Sequence, residues 1–201
     1  PPETPPIDTP PPNSPPVATP GPQDGLGRLQ ALLRSVPPDT IRYDSATALG
    51  TEGFELHGVT LTNPWQHNDP IRILTLRVER IDFTALEQHQ PPAYADITVS
   101  GLAVPIAGMG DATLTAIFGT NPVSADVRLS YAHDAGAQTY TVNELALDLH
   151  GFGRLSLAAA LGGVSSDVIA HPDRAGGSVT LQSARLRYED QSFLRRLLQA
   201  Q

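Results

Sequence analysis

The chain has 201 residues, no cysteine and a net charge of −8, and all 13 of its basic residues are arginine. The missing cysteines exclude disulfides, thiol chemistry and cysteine-based zinc sites. The negative balance speaks against a nucleic-acid backbone or an anionic membrane surface as partner, since both are held by clustered cations. Arginine without lysine, alongside abundant alanine, glycine and proline, has the look of a GC-rich bacterial coding sequence.

Residues 1–22 hold eleven prolines, separated mainly by Thr, Ser, Asp and Asn. Proline fixes φ and carries no N–H, so neither helix nor sheet is predicted there. An extended polyproline II tether is expected instead, rising roughly 3.1 Å per residue. The alternative use of such a stretch is as a ligand for a proline-recognising partner. The predicted organisation is a disordered tether over residues 1–23 and a single domain over residues 24–201. A start at Pro1 rather than Met points to a processed or cut chain, with a signal or anchor expected upstream. No apolar run reaches the length of about 18 residues that a membrane-spanning helix needs.

A short helix is predicted next, capped by Asp24, carrying Leu26, Leu29, Leu33 and Val36 as one stripe and stopped by Pro37-Pro38. Strand alternation follows, at Ile97 and Val99 and at Val127, Leu129 and Tyr131. A pattern of eight residues then recurs, with two apolar positions in alternation, a slip of one residue, and two more. It falls on Phe54, Leu56, Val59 and Leu61; on Leu76, Val78, Ile81 and Phe83; and on Ile97, Val99, Leu102 and Val104. It returns at Tyr140, Val142, Leu145 and Leu147, and at Val179, Leu181, Ala184 and Leu186.

An uninterrupted strand never changes phase, because a one-residue slip sends every later side chain to the other face. A β-bulge at each slip restores the apolar face and bends the strand, and Gly58 and Gly101 stand at two of the slips. Bulges repeated along successive strands predict a coiled sheet, a trough rather than a plate.

Residues 140–149 and 152–161 read as two long strands about Gly151 and Gly153, either a tight hairpin or one kinked strand. Between Pro105 and Pro122, Leu114, Ile117 and Phe118 suggest one or two helical turns, after Asp111 and before Gly119, plugging an end of the trough. Residues 162–177 read as irregular. A last helix is capped by Asp190, with Phe193, Leu194, Leu197 and Leu198 on one side.

The motifs that carry chemistry are weak. Gly108-Met109-Gly110 lacks the third glycine and the acidic residue of a dinucleotide turn. Of His57, His67, His89, His133, His150 and His171, none has a second ligand on one helix face. Asp167 stands four residues before His171, but in a stretch where that spacing aligns nothing. No serine sits in a nucleophile elbow. Trp65 follows Asn63-Pro64 in a loop, as a rim contact for a ligand or as a lid over the sheet end. No catalytic residue, metal or cofactor is therefore expected.

The stretches G-F-E-L-H-G-V-T-L at 53–61, I-T-V-S-G-L-A-V at 97–104 and L-Q-S-A-R-L-R-Y-E-D-Q-S-F-L-R-R-L-L at 181–198 resemble bacterial envelope proteins of the AsmA-like and YdgA-like kind. The resemblance covers residues 39–199 and is one of strand style. It implies a long curled antiparallel sheet in the periplasm with an apolar concave face, and in the AsmA-like case a part in handling lipid between membranes. This chain is far shorter than the large lipid-bridging members, and the family supplies no catalytic residues to carry over.

The reading is a mainly β (α+β) domain, a strongly curved antiparallel sheet with short N- and C-terminal helices packed on it. Its expected function is a tethered periplasmic module that binds lipid or another apolar ligand in the trough, without catalysis. The alternative is an interaction or scaffolding domain of an envelope protein complex. The expected lining is Phe54, Leu56, Val59, Leu61, Leu76, Val78, Ile97, Val99, Val142, Leu145 and Leu147; the competing reading makes these plain core residues.

Overall fold

The computed structural model describes residues 24–62, 69–106, 112–171 and 179–199. The proline-rich segment, the Trp65 loop with His67, the Gly108-Met109-Gly110 turn with Asp111, and Pro172-Asp173 lie outside the described residues.

Helix α1 (Gly25–Leu33) begins at Asp24, whose Oδ1 accepts from the Gly27 N–H at 2.7 Å. Its packing stripe is Leu26, Leu29 and Leu32, whereas Leu33 stays outside the core cluster. The chain then forms β1 (Ile41–Arg42), β2 (Ser45–Leu49), β3 (Gly53–Leu61) and β4 (Ile71–Ile81). Helix α2 (Phe83–Glu87) and strand β5 (Tyr94–Val104) follow, then α3 (Ala112–Phe118), β6 (Val123–Asp134), β7 (Thr139–Leu149) and β8 (Gly153–Gly162). Helix α4 (Ser166–Ala170), β9 (Thr180–Asp190) and α5 (Phe193–Gln199) complete the described chain.

The nine strands of the described residues make one open antiparallel sheet in the order β1-β3-β4-β5-β6-β7-β8-β9, with β2 also pairing β3. The chain meanders, so each long strand is joined to its neighbour in sequence. The 140–161 region resolves into a hairpin, with the Phe152 N–H closing the turn onto the Leu149 carbonyl at 2.9 Å.

Each of the five expected phase slips coincides with a backbone irregularity, though not always with the same one. In β5, Ser100 and Gly101 stand opposite the single residue Asp126, a bulge that shifts the β5–β6 register between Val99 and Leu102. In β7, Asn143 is the extra residue against β6, and Asn143 with Glu144 stands opposite the single residue Ala158 of β8, while β9 bulges at Gln182 and β4 at Glu79. At Gly58 the register with β4 runs unbroken, because β4 slips at the same level. There Ile73 and Leu76 both face the core, and Leu74 is turned out to 70% exposure. Gly58 (φ 62°) and Gly101 (φ 63°) are in the left-handed region, which a side-chain-bearing residue enters only at a cost.

Two short elements depart from the sequence reading. Phe83 leaves the strand pattern to start α2, where Asp82 caps the Ala85 N–H at 3.0 Å and Phe83 is 1% exposed. The stretch expected to be irregular contains α4, capped by Ser165. That helix does align Asp167 with His171, whose Nδ1 lies 3.2 Å from Asp167 Oδ1.

The core lies under α1 and α2. Leu26, Phe54, Leu56, Val59, Ile73, Val78 and Phe83 form its buried cluster, with Phe54 and Phe83 rings 6.2 Å apart. Each such side chain contributes roughly 1.5–3 kcal/mol by leaving water. Among the described residues, the substantial packing of helix on sheet is that of α1 on β2 and β3.

Candidate functional site

Because directly opposed residues share a face, the register defines apolar rows across the sheet. One row runs Val78, Ile97, Leu129, Leu145, Leu157, Leu186; the next runs Leu56, Leu76, Val99, Val127, Leu147, Leu155, Tyr188. The bulges in β5, β7 and β9 bring Leu102, Val142 and Leu181 onto the same side as these rows. Without them the apolar residues beyond each slip would turn to the polar face.

The eleven residues expected to line a groove divide into two groups. Phe54, Leu56, Val59 and Val78 are buried in the core beneath α1 and α2, and Leu61, Leu76, Ile97 and Val99 pack against that cluster. The first four are closed to an outside ligand, with α1 packed on β2 and β3 above them, while the second four are half-buried at the margin of that cluster. Val142, Leu145 and Leu147 belong to the other half of the same face and are only half-buried. There β6 to β9 carry Leu155, Leu157, Leu181, Leu186 and Tyr188, and the last three are 65%, 67% and 42% exposed. Leu155 and Leu157 have a clean period of two in the sequence; Leu186 stands in the fifth repeat. Those were the signals available for them.

Both ends of this half-face are furnished with aromatic rings. At one end Phe118 of α3 packs on Phe152 at 5.0 Å and on Phe193 of α5 at 6.1 Å, and Arg196 lies 4.6 Å over Phe152. The N–H groups of Gln191, Ser192 and Phe193 donate to the Phe152 carbonyl, which ties α5 to the β7–β8 turn. The expected helical plug is thus present as α3, with α5 beside it. On α5, however, Leu194 and Leu198 remain exposed rather than packed. Beside this cluster a cavity of about 200 Å³ is lined by Leu147, Leu149, Gly153, Leu155, Tyr188 and Phe193. Its one polar handle, the Tyr188 hydroxyl, donates to Asp190 at 2.7 Å, and Asp190 also accepts from the Leu194 N–H at 3.0 Å. Those contacts hold the Asp190 carboxylate below its usual range, the Leu194 N–H first and Tyr188 second.

At the other end Tyr131 and Tyr140 stack at 5.4 Å with His133 alongside, and His133 Nε2 lies 2.8 Å from the Val164 carbonyl. Burial pushes the Tyr131 phenol up to about 12.

The opposite face of the same strands is charged. Asp126 accepts from the Gly101 N–H at 2.8 Å and meets His150 at 2.9 Å, and Arg154 pairs with Asp148. The Gly101 N–H, then His150, keep the Asp126 carboxylate low. Elsewhere Arg80 of β4 is raised by the Asp96 carboxylate of β5, and Arg28 of α1 by the Glu87 carboxylate of α2. Among the described residues no cluster of three metal-ligating side chains converges, and no helix is long and apolar enough to cross a membrane.

The class defined by this geometry is an open, bulged antiparallel sheet with one apolar face, half of it roofed by helices. A family model described as an uncharacterized protein matches residues 146–201, which take in the end of β7 and all of β8, β9 and α5. No curated protein and no solved structure matches the chain.

Proposed function

We propose that this chain is a periplasmic, envelope-tethered module that holds lipid or another apolar ligand against the β6–β9 half of its sheet, without catalysis. The observation that carries the reading is the apolar face left unroofed there, with Leu181 and Leu186 largely in solvent and Tyr188 partly so. Four strands spaced about 4.8 Å apart and about 30 Å long give a footprint on the order of 500 Å². That is comparable to the largest apolar patch of a typical soluble monomer, about 300–600 Å², which is often a functional surface. The resemblance of the strand pattern to AsmA-like envelope proteins supports the same reading and supplies its location; the proline-rich stretch is its tether.

Each methylene buried on such a face contributes about 0.8 kcal/mol, so lengthening an acyl ligand by two carbons strengthens binding at least tenfold until the groove is filled. Native mass spectrometry of protein purified from membrane-containing cells, followed by organic extraction, tests the proposal. A discrete added mass that extracts as lipid supports it and names the ligand class. Protein that stays bare after incubation with total envelope lipid overturns it.

The second reading, an interaction domain of an envelope complex, is favoured by one observation: β9 pairs on one side only among the described residues.

A further inference from the structure

The two edges of the sheet are unlike. One is made of β1 and β2, of two and five residues, interrupted at Tyr43 and Asp44. Short, broken edge strands are how proteins discourage sheet-to-sheet pairing. The other edge is β9, eleven residues long and exposed throughout. Helix α5 does not shield it, because the chain after Asp190 turns back to Gly151 and Phe152, where Ser192 Oγ donates to the Gly151 carbonyl at 2.7 Å.

We propose that β9 is the interface for a second copy of this chain, paired antiparallel about a two-fold axis through Arg187. The side chains of β9 favour this register over its neighbours: centring on Tyr188 also pairs Arg187 with the partner's Glu189, but it opposes Leu186 to the partner's Asp190 and engages only residues 186–190 of the strand. On its polar face stand Arg185, Arg187 and Glu189; on its apolar face stand Leu186 and Tyr188. A two-fold axis perpendicular to the sheet keeps both apolar faces on one side, so residues of the same parity must face one another. Centring on Leu186 sets Arg185 against the partner's Arg187, a like-charge contact made twice. Centring on Arg187 sets Arg185 against the partner's Glu189 and Leu186 against the partner's Tyr188, each twice. In that register the single like-charge meeting, at Arg187 itself, is flanked by both copies of Glu189, which already binds Arg187 within its own strand at 2.5 Å.

The same register continues the apolar rows from one copy into the next. Leu157 and Leu186 are followed by the partner's Tyr188, and Leu155 and Tyr188 by the partner's Leu186. An isologous strand pair of this kind adds backbone hydrogen bonds and a second unroofed half-face to the first. The inference does not rest on the ligand reading.

Sedimentation velocity from about 1 μM to about 200 μM tests it, well short of the millimolar range where contacts lose meaning. The expected result is a monomer–dimer equilibrium. Glu189→Arg weakens it about tenfold, by removing two ion pairs and adding repulsion. The double exchange Arg185→Glu with Glu189→Arg brings it back to within about threefold of the starting value. Because the chain lacks cysteine, Arg187→Cys gives a clean second readout. Its two thiols meet across the axis at a Cα separation of roughly 4.5–5.5 Å, within disulfide reach, and mild oxidation yields a covalent dimer. Ser156→Cys, one strand inside the edge, does not cross-link. A monomer at every concentration, a dimer indifferent to both charge variants, or equal cross-linking at positions 156 and 187 overturns the proposal.

Discussion

Gly101→Ala tests the link between the phase slips and the fold. Gly101 has φ 63°, and a Cβ built on it would sit 2.5 Å from Leu74 Cδ1 and 2.6 Å from Leu74 Cγ. Two costs follow. The left-handed backbone costs an alanine about 1–2 kcal/mol, of which about 0.4–1 is returned by the stiffer unfolded chain. Leu74 must also swing away; being 70% exposed it has room, at a rotamer cost of about 0.5–1.5 kcal/mol. The net loss is therefore about 1–2.5 kcal/mol.

Gly50 separates the two costs, since it has φ 70° and nothing within 4 Å of its added Cβ. Gly50→Ala then loses only the backbone share, about 1 kcal/mol or less. Urea unfolding followed by circular dichroism measures both, with an unchanged slope as the check that only stability moved. Adding Leu74→Ala to Gly101→Ala should recover about 1 kcal/mol as a coupling energy. If Gly101→Ala is no less stable than the parent, the glycine is not holding the slip, and the account of the bulged strand is wrong.

Three further outcomes are expected. Phe83→Ala empties the centre of the core beneath α1 and should cost about 3–5 kcal/mol, read as a lowered thermal midpoint; a loss under 1 kcal/mol would mean that α2 is not the lid it looks to be. Tyr94 and Tyr131 are both pushed up to about 12, by burial first and, for Tyr94, also by the Glu52 carboxylate. The folded state then keeps protons that the unfolded state releases above about pH 10, so their share of stability is complete below pH 10 and declines as pH rises toward 12. Alkaline titration of the unfolding free energy should show that fall, and Tyr131→Phe should make it shallower; an identical slope in the variant refutes the assignment. Leu155→Asp, which puts a carboxylate into the 200 Å³ apolar cavity, should lower bound lipid at least tenfold by native mass spectrometry, whereas Leu74→Asp on the outward side should leave it unchanged.

Much of the architecture was legible because strand periodicity is strict. Alternation broken once at a fixed point marked the strands, their apolar face and the places where the backbone departs from a regular ladder. Asp24 and Asp190 were readable as helix-starting acceptors for the same kind of reason: a carboxylate ahead of an apolar run satisfies free N–H groups. The two five-residue helices were not legible. Five residues, as in α2 and α4, are too few to show a helical period, so Phe83 read as a strand residue and the Asp167–His171 spacing looked idle.

The bulge at Gly58 was a half-correct reading, because a slip in one strand does not reveal whether its neighbour slips with it. Leu74, thrown outward opposite Gly58, shows that the neighbour did.

The candidate site marks where sequence stops. Leu56 and Leu147 are apolar positions of two copies of the same pattern, on the same face and in the same row. One is sealed beneath α1 and the other lies in an unroofed groove. Periodicity reports which way a side chain points from its own strand. What lies above it depends on elements far along the chain, and here on a helix long enough to cover only the first part of a nine-stranded sheet.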